Sequence, residues 1–174
     1  FFFDVVSVTG TEHIMMAAAV SEGHTLIRNA ACEPHVQDLA VMLNAMGAKI
    51  SGMGTNQLTI EGVPSLHGTT HQVCHDHIEA ASYLALAAAT GGEITVEGTD
   101  LHAYWMCHRV FETLGVKIEL HKDHIFLPSN QELRITRDND GTMPVIGDGP
   151  WPQFASDQMS CMITLATQVE GNVL

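Results

Sequence analysis

The chain has 174 residues, of which 45% are hydrophobic, so it can bury a core and disorder is not expected. Twenty acidic residues outnumber seven basic ones, and a net charge of −13 argues against nucleic acid as a partner. No apolar run approaches the length of about 20 residues that is needed to cross a bilayer, so we expect no membrane partner. The four cysteines form no CxxC pair, which is typical of free thiols in a reducing compartment, so we expect a cytoplasmic protein.

The first third of the chain predicts alternating strands and helices. Residues 1–8 are typical of a buried strand, and Thr9 and Glu12 match the T-x-x-E capping box, so a helix is expected to begin near Thr9. This helix is apolar on every side over residues 14–20, which predicts that protein encloses it. The remaining predicted elements are strands at residues 24–29, 49–51 and 57–61 and a helix that begins at Glu33.

The helix that follows Glu33 belongs to a module that occurs twice. Pro34 suits a first helical turn and Gly47 suits the left-handed residue that ends a helix. One helical face carries Val36, Leu39, Ala40, Leu43 and Met46. The same face returns 68 residues later as Tyr104, Cys107, His108, Phe111 and Leu114, and Gly115 then matches Gly47. The chain is therefore predicted to consist of repeated units.

The rest of the chain follows the same order. Asp76, with Glu79 three residues later, predicts a helix cap before an Ala-rich helix over residues 80–89. Strands are predicted at residues 71–74, 93–97, 117–120 and 124–127, and a helix at 101–114. A third unit begins with a strand at 132–137, continues through a Gly/Pro-rich loop at 147–152 and a helix at 159–169 that opens at Ser156 and Asp157, and ends in a strand at 173–174.

Each complete unit thus reads β-α-β-α-β-β, with a first helix that is apolar all round and a second that is amphipathic. A helix that is apolar on all faces needs neighbours on all faces. The fold class is therefore predicted to be α/β (α+β repeats), with helices gathered inside and sheets packed outside.

Four stretches carry a family resemblance. The run SVTGTEHIMMAA at residues 7–18, NAACEP at 29–34, LNAMGAKISG at 43–52 and DGPWP at 148–152 resemble the enolpyruvyl transferases of peptidoglycan synthesis. The resemblance implies an inside-out α/β barrel of two domains, each made of three such units. Residues 1–73 would be the last unit of one domain, and residues 76–174 one complete unit and part of the next from the other.

The resemblance also implies a reaction and residues for it. These enzymes transfer the enolpyruvyl group of phosphoenolpyruvate, a co-substrate, to the 3′-hydroxyl of UDP-N-acetylglucosamine and release phosphate, with no cofactor. Asp157 matches the catalytic aspartate, which also contacts the acceptor, and Trp151 is expected to shape the approach to it. The segment that contacts the nucleotide sugar is matched by Val5, Val6, Ser7 and Val8. Positions near the cleft or its hinge are matched by Glu33, Asp76 and Glu79. The rest of the enzyme chain is needed to complete both domains, so the isolated chain is predicted to be inactive.

Other interpretations stay open. Asp157 could simply cap a helix, and residues 7–12 could form an ordinary strand-to-helix turn. The family usually has arginine where Cys32 and His77 stand and asparagine at His13, which favours an alternative, a non-catalytic module for nucleotide-sugar binding or scaffolding. A metal site is not predicted, because the spacing of His71, Cys74, His75 and His77 fits no closed zinc pattern.

Overall fold

The computed structural model describes residues 1–136 and 141–174. Within them the chain forms two compact units, Phe1–Cys74 and His75–Leu174, and each unit has its own cluster of buried hydrophobic side chains. The assignment of residues 1–73 and 76–174 to two domains of a larger enzyme stays a prediction.

The first unit is a three-stranded sheet with two helices against one face. Its elements are α1 (Val8–Ala19), β1 (His24–Arg28), α2 (Pro34–Ala45), β2 (Lys49–Ser51) and β3 (Gln57–Glu61). The sheet is antiparallel throughout in the order β1-β3-β2, with Ile27 opposite Leu58 and Ile50 opposite Ile60. These four side chains are buried, whereas their neighbours along β2 and β3 are exposed. The period-2 alternation therefore gives the sheet one core face and one solvent face.

The second unit repeats this order and adds a further helix. Its elements are α3 (His77–Thr90), β4 (Ile94–Glu97), α4 (Leu101–Thr113), β5 (Glu119–Leu120), β6 (His124–Leu127), a 3₁₀ turn (Ser156–Gln158) and α5 (Met159–Ala166). The sheet is again antiparallel, in the order β4-β6-β5, with Val96 opposite Ile125. Helix α5 packs against α3.

The predicted repeat is confirmed in local detail. The predicted face of α2 is buried or half-buried against the core of its unit, and so is the predicted face of α4. Gly47 and Gly115 both have a left-handed backbone, with φ of 100° and 75°, and each follows the end of its helix. The Asp76 carboxylate accepts hydrogen bonds from the backbone N–H groups of Ile78 and Glu79, at 2.9 and 3.0 Å, as the capping pattern predicted.

The predicted strand at residues 1–8 is wrong. Only one bridge, between Phe2 and Arg28, pairs this segment with β1, and Phe1 and Phe2 are exposed. The helix begins at Val8 with Ser7 as its cap, because the Ser7 hydroxyl accepts from the Gly10 N–H at 3.1 Å. Thr9, which the capping box favoured, is therefore already helical. Ser7 takes the capping position two residues earlier, where its own backbone is still extended.

Three other predicted strands are absent from the described residues. Residues 71–74 have no partner strand and are held instead by side-chain contacts. Residues 132–136 make a single bridge, between Arg134 and Glu170, and residue 137 lies outside the described part of the chain. Leu174 exchanges two hydrogen bonds with the backbone of Pro144 and Ile146 but forms no regular strand.

Within each unit the apolar helices are covered on only part of their surface. Met16 in α1 and Val20 directly after that helix are exposed, and so are Tyr83 and Leu86 in α3. Ile163 of α5 is 61% exposed. Two or three helices lying on a sheet cover only the face of each helix that meets the sheet or the next helix, so the opposite face is left uncovered by its own unit.

Residues 1–136 and 141–174 contain no helix that combines the length and the apolar character needed to cross a membrane.

Candidate functional site

In the first unit, the segment before α1 is shaped by the cap of the helix. Val5 is 79% exposed, whereas Val6 and Val8 are half-buried against the core. The N–H groups of Gly10 and Thr11 are satisfied locally, by the Ser7 hydroxyl at 3.1 Å and the Ser7 carbonyl at 3.0 Å. Val5 is therefore the most accessible residue of the predicted sugar-contacting segment.

A buried threonine joins this helix start to the loop before α2. The Thr11 hydroxyl donates to the Ser7 carbonyl at 2.7 Å and accepts from the Ala31 N–H at 3.0 Å. Asn29, with a left-handed φ of 56°, donates from its side chain to the Phe3 carbonyl at 2.8 Å. Two of the four stretches that carry the family resemblance, residues 7–18 and 29–34, are therefore held together at one end of the unit.

Glu33 lies at this end, at the cap position of α2. Its side chain makes no capping hydrogen bond, and Oε2 is buried without a hydrogen-bond partner among the described residues. Burial, and then the neighbouring carboxylate of Glu33, raise the pKa of the Cys32 thiol, so Cys32 supplies no charge here. Because this oxygen of Glu33 has no donor among the described residues, it is able to accept a hydrogen bond from a ligand or from another part of the enzyme.

In the second unit, the start of α3 gathers three of the residues of interest. Asp76 caps the helix, and Glu79 is exposed in its first turn. His77 is buried and packs edge-to-face against the ring of Trp151, with 5.6 Å between the ring centres. The Gly/Pro-rich loop that carries Trp151 is therefore in contact with the helix start.

Asp157 lies in the 3₁₀ turn that precedes α5. The residue is exposed, whereas Gln158, directly after it, is fully buried. The Gln158 side chain donates to the His77 carbonyl at 3.3 Å and accepts from the Cys107 thiol at 3.1 Å. Asp157 is thus presented to solvent on a turn that is attached to α3 and α4.

The structure therefore sorts the predicted residues into two groups. The segment 5–8 and Glu33 belong to one end of the first unit, through the links of Thr11. Asp76, Glu79 and Asp157 belong to the second unit, where Gln158 and Trp151 bring the turn of Asp157 to the start of α3. The second group combines exposed carboxylates with a hydrogen-bonded support, which suits a binding surface, whereas the exposed side chain of the first group is the apolar Val5.

Sequence reasoning missed the two residues that support these groups, Thr11 and Gln158. Thr11 falls inside the predicted capping box without a role of its own, and no sequence pattern singles out Gln158.

The histidine- and cysteine-rich stretch before α3 has other partners. The His71 ring contacts the Asp38 carboxylate at 2.9 Å, and the Cys74 N–H donates to the second oxygen of Asp38 at 3.3 Å. In the part of the chain that the structure describes, no three His, Cys, Asp or Glu side chains come together in a way that could hold a metal ion.

Comparison with known proteins shows a consistent set of similarities. The sequence model of the family described as EPSP synthase (3-phosphoshikimate 1-carboxyvinyltransferase) matches residues 1–172. A protein of Borrelia garinii subsp. bavariensis named UDP-N-acetylglucosamine 1-carboxyvinyltransferase is 47% identical over 99% of the chain, and its namesake in Bacteroides fragilis is 47% identical over 98%. The chain spans about two fifths of the length of these curated relatives, 40% and 39%.

The fold has a solved counterpart. The crystal structure of the enolpyruvyl transferase NikO from Streptomyces tendae matches with a TM-score of 0.76 at 22% identity, and the match covers 94% of this chain and 38% of that one. The chain therefore has the enolpyruvyl transferase fold, in partial form, as the resemblance implied.

Proposed function

Because the chain belongs to the EPSP synthase (3-phosphoshikimate 1-carboxyvinyltransferase) family, we propose that it forms part of an enzyme that transfers the enolpyruvyl group of phosphoenolpyruvate to the 3′-hydroxyl of UDP-N-acetylglucosamine and releases phosphate. The observation that carries this proposal is the identity of 46–47% with several proteins named for that acceptor, over almost the whole chain. The reaction would belong to peptidoglycan synthesis, in the cytoplasm.

The exposed carboxylate of Asp157 suits the proton transfers of this chemistry. In the addition step, the acceptor oxygen bonds to C2 of phosphoenolpyruvate, a proton joins C3, and the acceptor loses its own proton. In the elimination step, the bond between C2 and the phosphate oxygen breaks, and C3 gives up a proton to restore the double bond. A carboxylate held on a rigid turn, within reach of the acceptor hydroxyl, can take that proton. No cofactor is needed, because phosphoenolpyruvate brings the reactive group.

The other predicted residues receive proposed roles of binding and shaping. Val5, Val6, Ser7 and Val8 would contact the nucleotide sugar, chiefly through the exposed Val5 and the backbone around it. The unpartnered Oε2 of Glu33 would accept a hydrogen bond at the edge of the cleft. Asp76 and Glu79 would line the cleft or its hinge from the start of α3, and Trp151 would border the approach to Asp157.

The charges of the substrates explain why the rest of the enzyme is required. Both substrates are polyanions, and transfer of such groups is stabilised by preorganised cations. This chain has only seven Lys and Arg residues against twenty Asp and Glu residues. We therefore propose that the residues 1–174 alone have no turnover and that further parts of the enzyme complete both domains.

The proposal is tested by phosphate release from the full-length protein with phosphoenolpyruvate and either UDP-N-acetylglucosamine or shikimate 3-phosphate. We expect release with the nucleotide sugar only. Asp157→Asn should lower kcat by about 10²- to 10⁴-fold, the usual size of a general acid–base contribution. Glu112→Gln, which removes the same charge from an exposed site on α4, is the matched control and should leave kcat unchanged. The proposal would be contradicted if phosphate were released with shikimate 3-phosphate as the acceptor but not with UDP-N-acetylglucosamine, or if Asp157→Asn kept full activity.

A second candidate function is a non-catalytic module that binds a nucleotide sugar or a partner protein. The half-buried, uncharged thiol of Cys32 and the buried ring of His77 favour it, since both stand where the family usually has arginine. Nucleotide-sugar binding without phosphate release in the full-length protein would support this alternative. Recovery of transfer in the double variant Cys32→Arg, His77→Arg would then identify a decayed enzyme.

A further inference from the structure

One amide lies in the apolar core of the second unit. Gln158 is 0% exposed, and the core of this unit includes Phe154, Met162 and Leu165 from the same stretch of the chain. An amide buried among apolar side chains is unfavourable unless its polar atoms are paired. A hydrophobic residue would fill this position without that requirement, so the hydrogen bonds of Gln158 need an explanation beyond packing.

The two hydrogen bonds of Gln158 define a single orientation of its amide. The His77 carbonyl can only accept, so Nε2 must face it, as it does at 3.3 Å. Oε1 then faces the Cys107 sulfur at 3.1 Å and needs a donor there. Burial raises the pKa of the Cys107 thiol to about 11, so the thiol keeps its proton at neutral pH and donates it. One side chain thereby connects the turn before α5 to the first turn of α3 and to the middle of α4.

This connection is made one residue away from Asp157. The backbone of the turn is closed by the Gln158 N–H, which donates to the Ala155 carbonyl at 3.1 Å. A shift of the Gln158 side chain would therefore move the backbone that carries Asp157. We propose that Gln158 is the positioning residue of Asp157, with Cys107 and the His77 carbonyl as its two anchors. This inference rests on the proposed function, because it assigns a residue that prepares that reaction.

The test compares two glutamines of the same unit in the full-length protein. Gln158→Met keeps the shape of the side chain and removes both hydrogen bonds. Gln131→Met is the matched control: the Gln131 amide also joins backbone groups, with its Oε1 2.6 Å from the Lys117 N–H and its Nε2 2.9 Å from the Lys117 carbonyl, but it does not contact the turn of Asp157. Both variants are measured for kcat, for KM of each substrate, and for hydrogen–deuterium exchange of residues 153–162.

We expect Gln158→Met to lower kcat by about three- to tenfold with little change in KM, because misplacement of a reacting group acts on the chemical step. Exchange in residues 153–162 should rise in this variant only. Equal losses of kcat in both variants would mean that Gln158 contributes only to general stability, and unchanged kcat and exchange in Gln158→Met would mean that it positions nothing. Either result overturns the inference.

Cys107 supplies an independent check. Cys107→Ala removes the donor and should reproduce the fall in kcat, whereas Cys107→Ser keeps a donor and should restore most of it. Equal kcat in the alanine and serine variants would contradict the assigned anchor. If the parent protein shows no phosphate release, the proposed function fails, and the exchange of residues 153–162 still decides whether Gln158 holds the turn.

Discussion

The two units share an order of elements but hold their first helices in different ways. In the first unit, Thr11 lies inside α1 and connects that helix to the loop before α2. In the second unit, the buried polar support comes from Gln158, which lies outside the repeat and contacts the first turn of α3. The shared pattern of apolar residues therefore defines the scaffold, and polar side chains particular to each unit adjust it near the predicted site residues.

The largest expected effect tests whether the two cores are separate. Phe111 and Leu43 occupy equivalent positions and are both buried. Phe111→Ala should destabilise the second unit by about 3–5 kcal/mol, and Leu43→Ala should destabilise the first by about 2–5 kcal/mol, because each leaves a cavity. Hydrogen exchange measured against denaturant, unit by unit, should show each loss in its own unit. Equal losses in both units from either variant would show that the two cores unfold together.

The next prediction compares the loss of stability when each of the two equivalent helix-ending glycines, Gly47 and Gly115, is replaced by alanine. An alanine at either position would have to adopt a left-handed backbone conformation, which costs about 1–3 kcal/mol of strain. The added Cβ would lie 3.2 Å from the His67 ring at Gly47, which can move, but 2.2 Å from the Arg134 carbonyl at Gly115, which is backbone. Gly115→Ala should therefore destabilise its unit more than Gly47→Ala does, as measured by chemical denaturation. The reverse order would mean that the segment around Arg134 yields easily.

A third effect is a pH dependence that belongs mainly to the second unit. Cys107 and Tyr104 stand where the first unit has Leu39 and Val36, which do not titrate. Burial raises the pKa of the Cys107 thiol from 9.0 to about 11 and also raises the pKa of Tyr104. Because the folded state holds the proton more tightly, this stabilisation is complete below pH 9.0 and is lost as the pH rises toward about 11.

For Cys107 the loss should reach about 2–3 kcal/mol, since each pKa unit corresponds to about 1.4 kcal/mol. Unfolding of the second unit measured between pH 8 and pH 11 checks this value, and Cys107→Ser, which does not titrate in this range, should flatten part of the curve. An identical pH dependence in that variant would show that Cys107 is not the titrating group. Cys32, half-buried in the first unit, has a raised pKa as well, so the first unit should show the same trend at a smaller size.

Several failed predictions have a common physical cause. Residues 1–8 and 71–74 have the composition of strands, but a strand also needs a partner strand. Residues 1–8 form one bridge, and residues 71–74 make two contacts to the Asp38 carboxylate. The cap of α1 was misplaced because Ser7 and Thr9 are both good capping residues, and the path of the chain before the helix decides between them.

The repeat could be predicted from the amino-acid sequence alone: the apolar faces of α2 and α4, the glycines that end them, the Asp76 cap and most strand positions follow from local spacing and backbone preference. Long-range packing sets the rest: which faces of the apolar helices meet their own unit, which hydroxyl and which amide become buried supports, and the attachment of the Asp157 turn to α3 and α4. Periodicity is a property of neighbours along the chain, whereas the pairing of Thr11 with Ala31, or of Gln158 with His77 and Cys107, joins residues 20 to 81 positions apart. Such pairs form only when the packed core brings them within hydrogen-bond distance.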